Sequence, residues 1–221
     1  VPEASGRRTR PRATLNRDRV LDAGIALADA DGIDALTMRR LASMLGVEAM
    51  SLYNHVSNKD DLLDGMLDRV TDEIELPEGG PDWRHRARRR AISAHAVLMR
   101  HPWAAAMWAS RLNPGPARMR YVDTALRHLR EAGLSPGLLD RAFHTIENHI
   151  AGHALQALGF PLAPEEMEEA SERFLRSFPV GEYPDLAAHV RHHIEQPGEG
   201  DEFGFGLELI LDGIERIRGA S

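Results

Sequence analysis

The chain has 221 residues, 43% of them hydrophobic, a formal net charge of −7 and no cysteine. That length and apolar content suffice for one small domain and a larger one. The lack of cysteine excludes disulfides, thiolate metal sites and cysteine nucleophiles, and it fits a reducing compartment. No apolar run reaches the length of a membrane span, and the arginine-rich start lacks the apolar centre of a secretory signal. The expectation is a soluble, cytoplasmic protein with no membrane partner.

Net acidity alone argues against a nucleic-acid binder, but its distribution does not. Arg7, Arg8, Arg10, Arg12, Arg17 and Arg19 crowd the first stretch, while acids concentrate in Glu165, Glu166, Glu168, Glu169 and Glu172 and again in 195–202. An acidic body with a basic end can orient itself on DNA. Residues 1–15 have no hydrophobic period and are broken at Gly6 and Pro11, which predicts a flexible basic arm that follows phosphates or enters a minor groove.

Asn16 can cap a helix from Arg17 to about Asp31, with Val20, Ala23, Gly24, Leu27 and Ala28 on one face and Gly32 at its end. Thr37 can cap a second, which presents Met38, Leu41, Ala42 and Leu45 at three-and-four spacing and stops at Gly46. A short third helix is expected over about Glu48 to Val56, anchored by Val47 and Leu52. Small Ala42 permits a close crossing and Gly46 a left-handed turn, so the pair reads as a helix-turn-helix.

The outward face of the third helix carries Ala49, Met50, Ser51, Tyr53, Asn54 and His55, side chains suited to base edges, thymine methyls and phosphates in a major groove. Lys59, the only lysine, follows where its charge and nearby amides could hold a phosphate. Tyr53 and Val56 could instead simply pack the small domain. Asn58 can cap a fourth helix, from Lys59 to about Ile74, and Pro77-Glu78-Gly79-Gly80-Pro81 then breaks the pattern. The domains read as 16–76 and 82–221, with the fourth helix able to carry motion between them.

Helical segments are predicted at roughly 82–101, 103–111, 115–132, 137–159, 164–178, 184–195 and 203–218, and no period-two alternation suggests a sheet. The fold class is all-α: a three-helix helix-turn-helix domain followed by a larger helical domain. The last helix has Phe203, Leu207, Ile210, Ile214 and Ile217 on a 3.5-residue seam, which could face its own core or a partner.

Trp103, Met107, Trp108, Phe143, Phe174 and Phe178, with Met99, Tyr121 and Met167, all lie outside the small domain. With Arg111, His144, Glu147, Asn148 and His149 they could line a mostly apolar cavity for a flat, partly polar molecule, although such stripes also form ordinary core. His149 and His153 share a helix face without a third defined metal ligand, and no glutamate has a histidine three residues later. No nucleophile elbow, phosphate-binding loop or dinucleotide fingerprint is present, so no cofactor is implied. An acid-base enzyme using His144, Glu147 and His149 is the alternative reading, and it does not account for the first module.

Thr37 to Leu63, ending in Leu52-Tyr53-Asn54-His55-Val56-Ser57-Asn58-Lys59-Asp60-Asp61-Leu62-Leu63, resembles the DNA-binding region of the tetracycline-repressor (TetR) family of bacterial regulators. The likeness extends back through Arg19-Val20-Leu21-Asp22-Ala23-Gly24 and Asp31-Gly32, and Phe203 to Glu215 resembles the last helix of the repressor's C-terminal domain class. The resemblance implies a nucleoid-associated repressor that binds palindromic double-stranded DNA as a homodimer and is released by a small-molecule effector. It also assigns roles. Arg39 anchors phosphate or reaches a base, Ala49, Met50 and Ser51 meet bases, Asn54 and His55 make polar contacts, and Tyr53 and Lys59 fix the backbone. Residues 137–159 and the last helix would pack against their symmetry mates. The histidine and glutamate that hold magnesium-tetracycline in the family's namesake fall near Trp108 to Arg111 and near Gln156 and are not retained, so a different effector is implied.

Overall fold

The computed structural model describes residues 14–108, 110–111, 115–159, 164–177, 179–195 and 201–220, and no strand occurs among them. The proposed arm therefore lies outside the described residues except at its last two positions. Side-chain caps set the first helices. Asn16 accepts from Arg19 N at the start of α1 (Arg17–Asp31), Thr37 from Arg40 N at the start of α2 (Met38–Leu45), and Asn58 from Asp61 N at the start of α4 (Lys59–Thr71). Between them, a 3-10 turn (Ile33–Ala35) leads out of α1, and α3 occupies Ala49–Leu52.

Two of these helices are shorter than their sequence patterns suggest. After Leu52 the chain continues as a turn, with His55 N and Val56 N both bonding Leu52 O. The α4 helix stops three residues before Ile74, where Asp72, Glu73 and Glu75 turn to meet Arg120, Arg100 and Arg89. The apolar faces nonetheless close one core: Val20, Leu21, Leu41, Leu52, Val56, Leu62, Met66 and Val70 are buried.

The larger domain comprises α5 (Trp83–Arg100), α6 (Pro102–Trp108), α7 (Pro116–Glu131), α8 (Pro136–Gly159), α9 (Pro164–Ser177), α10 (Pro184–Glu195) and α11 (Glu202–Gly219). The α6 helix ends short of the expected 111, where the Ser110 hydroxyl bonds back to Met107 O and competes with the helical pattern. The central helix is α8, packed against α5, α6, α7 and α11 through Ile146, Ile150 and Ala154, all fully buried. The seam on α11 divides. Phe203, Leu207 and Ile214 turn into this core, while Ile217 joins Phe205 and Leu209 on the exposed side.

Three histidines gather around Phe203. His95 of α5 stacks on its ring at 4.0 Å and bonds His153 at 2.9 Å, and His149 Nε2 meets the Phe203 carbonyl at 2.9 Å. His149 and His153 are thus occupied with helix packing, and no metal-holding group of three occurs among the described residues. Desolvation, reinforced by His153 and His149 and opposed by Asp201, pulls the His95 pKa down from 6.5 to about 4. Desolvation with the His149 charge also lowers His153, against Glu202 and Asp201. The folded chain therefore keeps a neutral His95 where the unfolded chain takes a proton. Stability held above pH 6.5 should fall as the pH drops toward 4 and level off below it. Thermal melts across that window should show this slope, and His95→Gln should flatten it; an unchanged slope would remove His95 as its source.

Candidate nucleic-acid interface and effector region

The turn between α2 and α3 depends on Gly46, which adopts φ 66°, ψ 38°, a left-handed conformation costly for other residues. Val47 N then reaches back to Ala42 O at 3.0 Å, and Leu52 and Val56 anchor the following segment in the core. That anchoring leaves Arg39, Met50, Tyr53, Asn54 and Lys59 exposed, with Met50 75% and Tyr53 44% accessible. Ala49, Ser51 and His55 are half-buried on the same segment. All eight residues expected to meet DNA thus lie on α2, α3, the turn after it and the start of α4.

Arg17, the first residue of α1, turns back across the small domain. Its guanidinium pairs with Asp61 Oδ1 at 2.6 Å and donates to His55 O at 2.9 Å, while Asp61 accepts from Ser57 N at 2.7 Å. The hydrogen bond from Arg17 leads the causes that hold the Asp61 carboxyl below its ordinary range. This clamp ties α1 to the end of the recognition segment and to α4. Sequence spacing could not announce it, because the partners are 38 and 44 residues apart.

The contact between domains is also ionic. Asp60, Asp64, Asp68 and Asp72 recur every four residues and so share one face of α4 and its cap. Arg111 donates to Asp60 at 2.9 Å and to Asp64 at 2.5 Å, Arg118 N donates to Asp68 at 2.9 Å, and Arg120 to Asp72 at 2.5 Å. Gly115 is required beside Asp68, since a Cβ there would overlap the carboxylate. A groove of about 770 Å³ runs along this face, lined by these carboxylates with Arg17, Arg69 and Arg120. The four-residue aspartate spacing was the available signal for this contact.

The residues expected to line one apolar cavity are therefore dispersed. Arg111 is committed to α4. Trp103 Nε1 donates to Asp29 of α1 at 2.7 Å, beside His101, and lines a smaller crevice of about 440 Å³ with Leu155 and Leu158. Asn148 is exposed, Phe174 is 41% exposed, Met107 is half-buried and Phe143 is buried; Phe178 lies outside the described residues. Residue type indicated apolar surface but not its direction, and carboxylates of the small domain claimed two of the polar tips. The three groups of the alternative enzyme reading also diverge: His144 pairs with Asp140 at the surface, Glu147 faces the interior and His149 meets Phe203.

Trp108 and Glu147 do come together, with partners the sequence had not linked. Arg90 donates to the Tyr121 hydroxyl and to Glu147 Oε1, the latter at 2.7 Å, and Tyr121 O–H donates to the same carboxylate oxygen at 2.7 Å. Burial works against the Arg90 charge, but Tyr121 and Glu147 outweigh it and hold the guanidinium charged. Burial also pushes the Tyr121 phenol upward, which keeps its proton in place. Arg118 lies 4.0 Å over the Trp108 ring. The result is a buried polar cluster at the junction of α5, α6, α7 and α8.

Residues 20–66 match the family described as bacterial regulatory proteins, tetR family, and residues 76–218 match the tetracyclin repressor-like C-terminal domain. The HTH-type transcriptional repressor DrrR1 of Streptomyces coeruleorubidus is 36% identical over 215 residues, covering 93% of this chain and 79% of its own. The class D tetracycline repressor protein of Escherichia coli is 38% identical over 210 residues, covering 92% and 90%. The crystal structure of the Streptomyces coelicolor TetR family protein ActR in complex with actinorhodin superposes with a TM-score of 0.78 at 30% identity, over 92% of this chain and 96% of that one. The reading head on α2 and α3, the helical body behind it and these matches over nearly the whole length agree, and the chain belongs to the TetR family of bacterial transcriptional regulators.

Proposed function

We propose that the protein is a repressor that binds a palindromic operator as a homodimer and is released by a small-molecule effector. The observation that carries this reading is the exposed set Arg39, Met50, Tyr53, Asn54 and Lys59 around a short helix whose other side is fixed by Leu52, Val56 and the Arg17–Asp61 clamp. The rigid backing positions the side chains, and their chemistry suits base edges and phosphates. Two such heads, held about one helical turn apart at roughly 34–36 Å, read a two-fold symmetric site. No helix among the described residues is long and apolar enough to cross a membrane.

Support for the dimer comes from α11 and α8, which expose Phe205 (69%), Leu209 (58%), Ile217 (53%) and Leu155 (46%). Apolar side chains of this size on adjoining helices are costly to leave in water. Release requires that the effector prefer a conformation in which the head spacing no longer fits DNA. The ionic contact along α4 suits such a shift at its exposed Arg120–Asp72 pair, since such pairs contribute only about 0–1 kcal/mol and can be exchanged.

Tyr53→Ala combined with Lys59→Ala should weaken operator binding by about 10-fold or more while helicity and dimerisation stay intact; loss of the fold instead would make both residues packing groups. DNA affinity should fall steeply with salt, and deletion of residues 1–14 should lower the slope of log affinity against log salt if the arm touches phosphate; an unchanged slope removes the arm from the mechanism. Phe205→Glu with Leu209→Glu should give monomers in sedimentation velocity and lose cooperative operator binding. A dimer that persists would place the interface elsewhere.

A further inference from the structure

Among the described residues, six side-chain polar atoms of the larger domain are buried without a hydrogen-bond partner, and three of them belong to residues grouped around Arg118: Trp108 Nε1, Arg118 Nη1 and Glu147 Oε2. Arg118 Nη1 and Glu147 Oε2 are 3.9 Å apart, too far to bond each other yet close enough for one small group to meet both. Trp108 is 4% exposed and Glu147 8%, so bulk water does not serve them. Stranded groups of this kind destabilise a fold, and several together mark a place where something else completes the bonding.

The unmet donors say what that is. Arg90 and Arg118 both face the single carboxylate of Glu147, whose Oε1 is already taken by Arg90 and Tyr121. Asp68 accepts from the Arg118 backbone amide and keeps its own charge. The Arg118 guanidinium meets Glu147 only at 3.9 Å, and two of the three stranded atoms are donors, one of them on a cation. The wall behind them is aromatic, with the Trp108 and Tyr121 rings 5.5 Å apart and edge to face.

Granted the ligand-responsive reading above, we infer that the effector is an aromatic anion bearing a hydroxyl beside its anionic group. The anionic oxygen accepts from Trp108 Nε1 and Arg118 Nη1, the hydroxyl donates to Glu147 Oε2, and the ring takes the Trp108 face now covered by the Arg118 guanidinium. Arg118 also carries the response. Its backbone N–H is bonded to Asp68 of α4, so drawing its side chain toward the anion shifts the start of α7 against the helix that bears the reading head.

Titration of the full chain with 3-hydroxy-2-naphthoate, followed by calorimetry, tests the site, with 3-hydroxy-2-naphthamide as the neutral probe of the same shape. The acid should bind saturably and the amide about 10-fold more weakly. Trp108→Phe, which keeps a ring and removes only the N–H, and Arg118→Gln should each lower affinity for the acid by about 10-fold. Arg118→Lys should recover part of that loss, and Arg127→Gln, elsewhere on α7, should change the affinity by less than about 2-fold. Should Arg118→Gln not fold, the Trp108→Phe result decides. Equal affinity for acid and amide, equal affinity of wild type and Trp108→Phe, or no saturable binding would overturn the assignment. Binding of DNA chosen by random-sequence selection is measured on the same preparations. DNA binding with no acid binding strikes the site alone; acid binding of the expected pattern without DNA binding upholds the site and strikes the regulator reading.

Discussion

The rest of the molecule depends on α4 having two unlike faces. One side, with Leu62, Leu63, Met66 and Val70, closes the core of the small domain. The other presents Asp60, Asp64, Asp68 and Asp72 to arginines and a helix N-terminus of the larger domain. The first contact is apolar and non-directional, so it moves with the head as a unit. The second is a ladder of discrete partners, three ion pairs and one backbone N–H, that can be exchanged one at a time. A helix built this way can move without losing its own fold, and it joins head and body by charge as well as through the apolar cluster that runs through both.

The reading head is prepared by the same economy of means. The left-handed Gly46 sets the angle between α2 and α3, and the Arg17–Asp61 clamp fixes the segment after α3 from behind. The exposed residues can then be chosen for chemistry rather than packing. In the larger domain the reverse holds: Arg90, Tyr121 and Glu147 are packed at the expense of desolvation, their mutual bonding keeps Arg90 charged, and Glu147 Oε2 is left without a partner.

Much of the fold was legible in the sequence, and the reasons are local. Asn16, Thr37 and Asn58 are capping residues next to periodic apolar runs, and Gly32 and Gly46 end the helices they follow; each of these acts within four residues of chain. The eight residues proposed to face DNA could be grouped because they are polar, small or exposed apolar groups on or beside a short, otherwise anchored segment. The effector region was harder. Trp103 and Arg111 have the right composition for a cavity, but their polar tips bond Asp29, Asp60 and Asp64, which are 47 to 74 residues distant. Helical periodicity reports which face is buried and not what buries it. The link between Glu147, Arg90 and Tyr121 was invisible for the same reason, since a buried arginine cannot be told from a surface one by its neighbours in sequence.

The measurement that tests the account most directly is selection of DNA from a random-sequence pool by the purified chain, followed by footprinting of the enriched sites. A two-fold symmetric sequence is expected, protected on both half-sites, with their centres one helical turn or a multiple apart. Enrichment of an asymmetric sequence with a single protected half, or no enrichment at low salt, would contradict it.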